Sequence, residues 1–312
     1  MAMHLRHETW AGTESILNRM NNLRSHPRRL RAITLAAGAF AAFALLVAGQ
    51  SQIASATPSP ATHPQSGSGA AKPSIVLVHG AWADGSSFTP VTLALQAAGY
   101  KVLVAPNPLR SLENDTKVLA DFLAQKTSGP VVLVGHSYGG MVMTGAASGN
   151  ANVKALVYID AYAPDAGESA QSLTNAQPGS LLNVPATDVF DFVLPAPDAP
   201  QALYDSYIKL DKFKAIFAAS LPTVETNLLA ASQSPAALAS IGSPFVGTPA
   251  WKTVPSWFVI GTADQLLPKA EQEIMAKRSN GQITRIDAPH LSMLAKPLQV
   301  TKVILDAARS VK

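Results

Sequence analysis

The chain has 312 residues, 47% apolar and 14% charged, enough for one large α/β domain or two ordinary ones and too apolar for wholesale disorder. It has no cysteine, which excludes disulfides, thiolate nucleophiles, zinc–cysteine sites and iron–sulfur clusters. The net charge of +4 sits at the front: residues 1–56 hold six arginines and two glutamates, and the remainder balances at 18 basic and 18 acidic side chains, so no basic face for nucleic acid is implied.

The first predicted element is an address. Arg28, Arg29 and Arg31 precede the small, apolar run Ala32–Gly49, and Ala54-Ser55-Ala56 precedes Thr57-Pro58. A positive segment, an apolar segment and an A-x-A site are the parts of an export signal, cleaved near Ala56 to leave a periplasmic or secreted protein. The alternative is a signal anchor that keeps residues 32–49 in a membrane. The pair Arg28-Arg29 leaves both the general and the twin-arginine route open. Residues 57–72 are rich in Pro, Ser, Gly, Ala and Thr and form a flexible linker. The folded domain is expected over residues 73–312.

From Ser74 onward strands alternate with helices. The apolar runs Ile75–Val78, Val102–Ala105, Val131–Val134, Ala155–Ile159, Trp257–Ile260 and Ile283–Ile286 are continuous rather than alternating, as suits strands buried on both faces of a parallel sheet. Helices are predicted over Phe88–Ala98, Glu113–Gln125, Gly140–Ser148, Lys269–Arg278 and Pro297–Ala308. Gly99, Gly129 and Gly281 follow three of them, as left-handed end residues. The fold class is therefore α/β: a six-stranded, mainly parallel, doubly wound sheet. Its functional groups should gather at the carboxyl ends of the strands. Between Asp160 and Val254 the alternation stops. A cap insertion over about residues 164–250 is expected, with a helix over Pro200–Ser220 that sets Leu203, Tyr207, Leu210, Lys214 and Phe217 near one face.

Three strand ends carry the chemistry. Gly135-His136-Ser137-Tyr138-Gly139 follows one strand and opens a helix, and G-x-S-x-G in that context is a nucleophile turn. Its serine could otherwise be a plain helix cap. His79-Gly80-Ala81-Trp82 follows the first strand. Acyl transfer builds charge on a carbonyl oxygen, and the backbone N–H groups of Ala81 and Tyr138 are placed to meet it. His79 is expected to brace its loop, and Trp82 to wall the pocket. Outside residues 1–56 the histidines are His63, His79, His136 and His290, and only His290 lies past the last strand, in Asp287-Ala288-Pro289-His290. It is the predicted base, because a serine hydroxyl needs an imidazole to take its proton. The acid that orients it is Asp264, at the end of Trp257–Ile260, with Asp160, at the end of the preceding strand, as the rival. Asp287 stands too near His290 in sequence.

In this order, the strand before His79-Gly80, Gly135-His136-Ser137-Tyr138-Gly139-Gly140, Asp264 and His290 resemble the α/β-hydrolase superfamily. The closing Pro289-His290-Leu291-Ser292-Met293-Leu294 resembles its compact branch of plant methylesterases, EstC-like esterases and hydroxynitrile lyases. The resemblance covers about residues 73–310 and implies a helical cap, a Ser137–His290–Asp264 triad, no metal and no organic cofactor. It also implies a small, largely apolar ester as the partner molecule. Lyases of that branch carry a lysine directly after the base; here Leu291 takes that place, lining the pocket on the methylesterase side. Two other readings remain open: a non-hydrolytic enzyme on the same fold (a carbon–carbon lyase or a cofactor-free oxidative enzyme) and a small-molecule receptor.

Overall fold

The computed structural model describes residues 72–311. The expected export signal or anchor, and the linker up to residue 71, lie outside the described residues. Lys72 already belongs to the fold, since its Nζ donates to Ala98 O at 2.9 Å and sits over the Tyr100 ring.

In chain order the strands are β1 (Ser74–Val78), β2 (Val102–Ala105), β3 (Val131–His136), β4 (Val153–Ile159), β5 (Phe190–Val193), β6 (Asp205–Ile208), β7 (Ala236–Ala237), β8 (Ser256–Gly261) and β9 (Gln282–Ile286). Six of them form one parallel sheet in the order β2-β1-β3-β4-β8-β9. The central strands β1, β3 and β8 are buried throughout, which is why their sequences read as unbroken apolar runs, while the edge strands β2 and β9 are partly exposed. The chain winds from β1 out to β2, then crosses back to place β3 on the other side of β1. The winding direction reverses there, and the crevice at the carboxyl ends of β1 and β3 is where such sheets bind ligands. His79-Gly80-Ala81 and Ser137 both stand on that crevice.

The helices that cover the sheet are α1 (Thr89–Ala97), α2 (Leu112–Lys126) and α3 (Tyr138–Ala146), then, after the insertion, α9 (Lys269–Arg278), α10 (Ser292–Ala295) and α11 (Pro297–Ser310). Local chemistry sets their ends. Ser111 Oγ accepts from Asn114 N at the start of α2, Glu113 and Asp115 occupy its first turn and Lys126 its last.

The insertion contains α4 (Ala170–Thr174), α5 (Ala186–Val189), α6 (Leu210–Phe217), α7 (Thr223–Ala231) and α8 (Leu238–Gly242). It also contains a small antiparallel sheet, β5-β6-β7, that the sequence did not announce. The expected helix over Pro200–Ser220 is corrected accordingly. A single 3₁₀ turn at Gln201–Leu203 is followed by β6, and α6 begins only at Leu210. Across β6 burial alternates, with Ser206 and Ile208 inside, as the period of a strand requires. Leu203 and Leu210 are exposed, and the buried face of α6 is Phe213, Ile216 and Phe217.

Gly99 and Gly129 adopt the left-handed conformation, at φ +76 and +74, but after α9 that role falls to Asn280, at φ +50. Gly281 is needed for space instead: a Cβ there would stand 2.6 Å from Phe258 Cδ2. The Phe258 ring cannot retreat, because it stacks on Tyr158 at 4.6 Å between centroids. Gly281→Ala is therefore expected to cost about 1–3 kcal/mol through overpacking. Thermal unfolding should show this as a drop of roughly 2–10 °C for a domain of this size. An unchanged midpoint would mean that the two rings slide aside freely.

Candidate active site

Ser137 sits between β3 and α3 at φ +52 and ψ −126, a conformation that L-residues avoid. The glycines around it make the turn possible. A Cβ at Gly135 would lie 2.8 Å from the carbonyl of Gly139, and one at Gly139 would lie 2.8 Å from His79 O. A Cβ at Gly80 would lie 2.6 Å from Ser137 Cβ, so the loop after β1 is packed directly against the serine.

The three residues expected to form the triad are brought together. Ser137 Oγ lies 2.9 Å from His290 Nε2, and His290 Nδ1 lies 2.8 Å from Asp264 Oδ2. Asp264 Oδ1 accepts from the backbone N–H groups of Leu266 (2.8 Å) and Leu267 (3.0 Å), and Oδ2 also accepts from Gln272 Nε2 (2.8 Å). Gln272, on α9, is a second anchor of the carboxylate to which no sequence motif points. Burial raises the Asp264 carboxyl to about 8, against the opposing pull of these donors. With N–H groups on both oxygens the carboxyl has no acceptor for a proton of its own, as suits a carboxylate that holds Nδ1–H. His136 Nε2 lies 3.0 Å from His290 O and steadies the base from behind.

Asp160, the rival acid, is brought near without reaching the imidazole. Its Oδ1 accepts from Gly261 N at 2.6 Å, and its buried Oδ2 has no hydrogen-bond partner among the described residues. Burial and the charge of Asp264 hold its carboxyl well above the ordinary carboxylate range. Asp287 is exposed.

The loop after β1 is braced as expected: His79 Nδ1 lies 3.0 Å from Gly80 O, and His79 O accepts from Asn107 Nδ2 at 2.8 Å. The N–H groups of Ala81 and Tyr138 donate to no acceptor among the described residues, and Tyr138 opens α3, where backbone N–H groups are free. Trp82 is buried in the left-handed region at φ +54, stacked on Phe190 at 5.2 Å and edge-on to Phe217 at 6.1 Å. Phe217 in turn stands edge-on to His290 at 5.1 Å, and its carbonyl accepts from Leu291 N. Trp82 and Phe190 also line a cavity of about 750 Å³ in the insertion, together with Leu238, Ile241 and the uncharged amides Gln171 and Asn175. Leu291 opens on a separate cleft, shared with Trp82 and Phe213.

Burial lowers the His290 imidazole from 6.5 to about 3. A base works only while Nε2 is unprotonated, so activity is lost as pH falls through the folded-state value. Because that value is depressed, the active form survives further into acid. The acid limb of a kcat/KM profile is therefore expected to have its midpoint below pH 6.5. A limb at or above 6.5 would mean that burial does not govern the base.

Comparison with known proteins agrees with this architecture. Over 111 residues the chain is 41% identical to a carbendazim-hydrolyzing esterase of Nocardioides sp. (strain SG-4G), a match that spans 31% of this chain and 46% of the length of that relative. It is 25% identical over 253 residues to a pyrethroid hydrolase of Sphingobium wenxiniae (strain DSM 21828 / CGMCC 1.7748 / JZ-1), spanning 75% of this chain and 87% of that one. Among solved structures, polyneuridine aldehyde esterase has the same fold at a TM-score of 0.63 and 19% identity, covering 76% of this chain and 99% of its own. The profile of the alpha/beta hydrolase family matches residues 75–303. With the switch-point crevice and the strained serine turn between β3 and α3, that match settles the lineage: the chain belongs to the alpha/beta hydrolase family.

Proposed function

We propose that the protein is a carboxylic ester hydrolase that works through a serine acyl-enzyme. The observation that carries this reading is the relay from Ser137 Oγ to His290 Nε2 and from His290 Nδ1 to Asp264, on a serine held at positive φ. The curated relatives named as an esterase and a hydrolase support it. Ser137 gives its proton to His290 Nε2 and attacks the ester carbonyl. The N–H groups of Ala81 and Tyr138 receive the oxyanion. His290 returns the proton to the departing alkoxide, then takes one from water, whose hydroxide attacks the acyl carbonyl; the bond to Ser137 Oγ breaks, His290 gives that proton back to Oγ, and the acid is released. We infer an uncharged, largely apolar substrate from the cavity that shares Trp82 with the loop of the Ala81 donor, whose walls are aromatic, aliphatic and amide with no ionised group.

A fluorophosphonate probe is expected to label the folded protein at Ser137, and p-nitrophenyl esters of graded chain length to be cleaved. Folded protein that neither takes the probe nor cleaves any ester of the series would overturn the reading. Export after cleavage near Ala56 is proposed from the sequence alone, and the N-terminus of the mature protein tests it. Thr57 supports cleavage, and an intact Met1 in membranes supports the anchor.

A further inference from the structure

We propose that one strand of the insertion, β6, holds the oxyanion donors in register, through Ser206 on one arm and Asp205 on the other. The inference rests on the reading of Ala81 and Tyr138 as those donors. Each donor has a tether, and the tethers run to adjacent residues of the same strand.

The first arm starts at Trp82, which follows Ala81. Its indole N–H donates to Ser206 O at 3.0 Å and to Ser206 Oγ at 3.1 Å. Ser206 is fully buried, and its hydroxyl donates onward to Ala236 O of β7 at 2.6 Å, which fixes its orientation. Left-handed backbone is disfavoured for a bulky side chain, so Trp82 stays at φ +54 only while its surroundings hold it there. Its side chain is gripped at both ends, by the Ser206 acceptors and by the Phe190 and Phe217 rings. Release of the indole would let the Ala81 peptide turn.

The second arm starts at Tyr138 itself. Its hydroxyl donates to Asp115 Oδ2 at 2.9 Å, and Asp115 is fully buried. Asp115 Oδ1 accepts from Arg110 N at 3.1 Å. The Arg110 guanidinium then reaches the insertion, donating to Asp205 Oδ1 at 2.6 Å and to Pro235 O at 3.0 Å. Leu109, at φ +59, ties the same loop to β7 by accepting from Ala237 N at 2.9 Å. Asp205 and Ser206 pair with Ala237 and Ala236, so both arms close on one ladder.

An oxyanion donor acts only when it stands about 2.7–3.1 Å from the developing charge, so a shift of a few tenths of an ångström in either loop costs rate without costing binding. Ser206, Asp205, Arg110 and Asp115 touch neither substrate nor the reacting atoms under this reading. They are positioning residues, and they make the seating of the insertion a condition for turnover.

The test compares wild type with Trp82→Phe, which removes both indole bonds, and Arg110→Ala, which cuts the second arm at a partly exposed pair. The readouts are kcat, KM, the inhibition constant of a trifluoromethyl ketone whose hemiketal adduct with Ser137 Oγ places an oxyanion in the hole, and the thermal midpoint. Trp82→Phe is expected to lower kcat about tenfold and to weaken the ketone by a like factor, beyond any change in KM that follows from the place of Trp82 in the cavity wall. Arg110→Ala should show the same pattern at about threefold, with Arg110→Lys recovering part of it, since an exposed pair carries less. Arg110→Ala leaves the core untouched and keeps the test decisive if Trp82→Phe fails to fold. Unchanged kcat and ketone affinity in Arg110→Ala, or an effect confined to KM in Trp82→Phe, would overturn the proposal. Ser137→Ala measured in parallel separates the two levels. If it keeps turnover, the serine reading fails; if it abolishes turnover while the tether variants match wild type, only this inference fails.

Discussion

Ser137→Ala is expected to lower ester turnover by about 10⁴- to 10⁶-fold while leaving the protein folded. Oγ is the atom that forms the covalent bond, and its partner His290 Nε2 has no other use for its lone pair. What remains after its removal is binding and the oxyanion donors, which alone give a residual rate well above that in water. Folding should not suffer, because the serine side chain caps nothing: α3 begins at Tyr138 with no hydrogen bond from Ser137 to its first turn. The backbone strain at φ +52 persists with alanine but is relieved by glycine. Ser137→Gly should therefore be as inactive as Ser137→Ala and more stable than it by about 1 kcal/mol. The measurements that check this are initial rates with p-nitrophenyl acetate and thermal midpoints of the two variants. Turnover within tenfold of wild type in either would remove Ser137 from the reaction, and equal stability of the two would show that the turn stores no strain.

The parts of this molecule that sequence exposes are those in which one local rule acts alone. β1, β3 and β8 are buried on both faces, so each is an uninterrupted apolar run, and the expected and observed ends differ by only one or two residues. Ser137 and His290 are legible because the chemistry demands a particular residue type at a particular strand exit, and the chain offers few histidines. Between Asp264 and Asp160 the sequence leaves a choice, since both follow a strand of the same sheet; only the direction of His290 Nδ1 distinguishes them. The insertion is the least readable part. β6 has four residues, too few to display a period, and it lies between Pro-rich turns and a helix whose apolar spacing extends the apparent helix backward across it. Tethers such as Tyr138 to Asp115 and Trp82 to Ser206, 23 and 124 residues apart, have no signature in one dimension. Gly281 shows the same limit on a small scale. A glycine after a helix suggests a left-handed end, but the space it leaves for the Phe258 ring exists only once β8 and β9 are paired.

The two acids at the strand ends should respond in opposite ways to the same substitution. Asp264→Asn is expected to lower kcat about 10⁴-fold at neutral pH. The amide oxygen can still accept from Leu266 and Leu267, but the amide nitrogen then faces two donors, Gln272 Nε2 and His290 Nδ1–H. The conflict is relieved by moving the imidazole proton to Nε2, the position from which it must be absent to accept from Ser137. The fold should survive at a cost of about 1–3 kcal/mol, the penalty of an ill-matched buried polar group. Asp160→Asn keeps the shape of a carboxyl that burial and the charge of Asp264 hold well above the ordinary carboxylate range, so the substitution disturbs the site little. Its oxygen continues to accept from Gly261 N, and its nitrogen takes the place of an Oδ2 that has no partner among the described residues. Turnover should stay within about threefold of wild type, less than the loss of one ordinary hydrogen bond. Turnover rates of the two variants, each checked for a cooperative thermal transition, distinguish the two acids. A collapse of turnover in Asp160→Asn with near-normal turnover in Asp264→Asn would transfer the acid's role to the end of β4, and the 2.8 Å contact between His290 and Asp264 would then be a structural bond only.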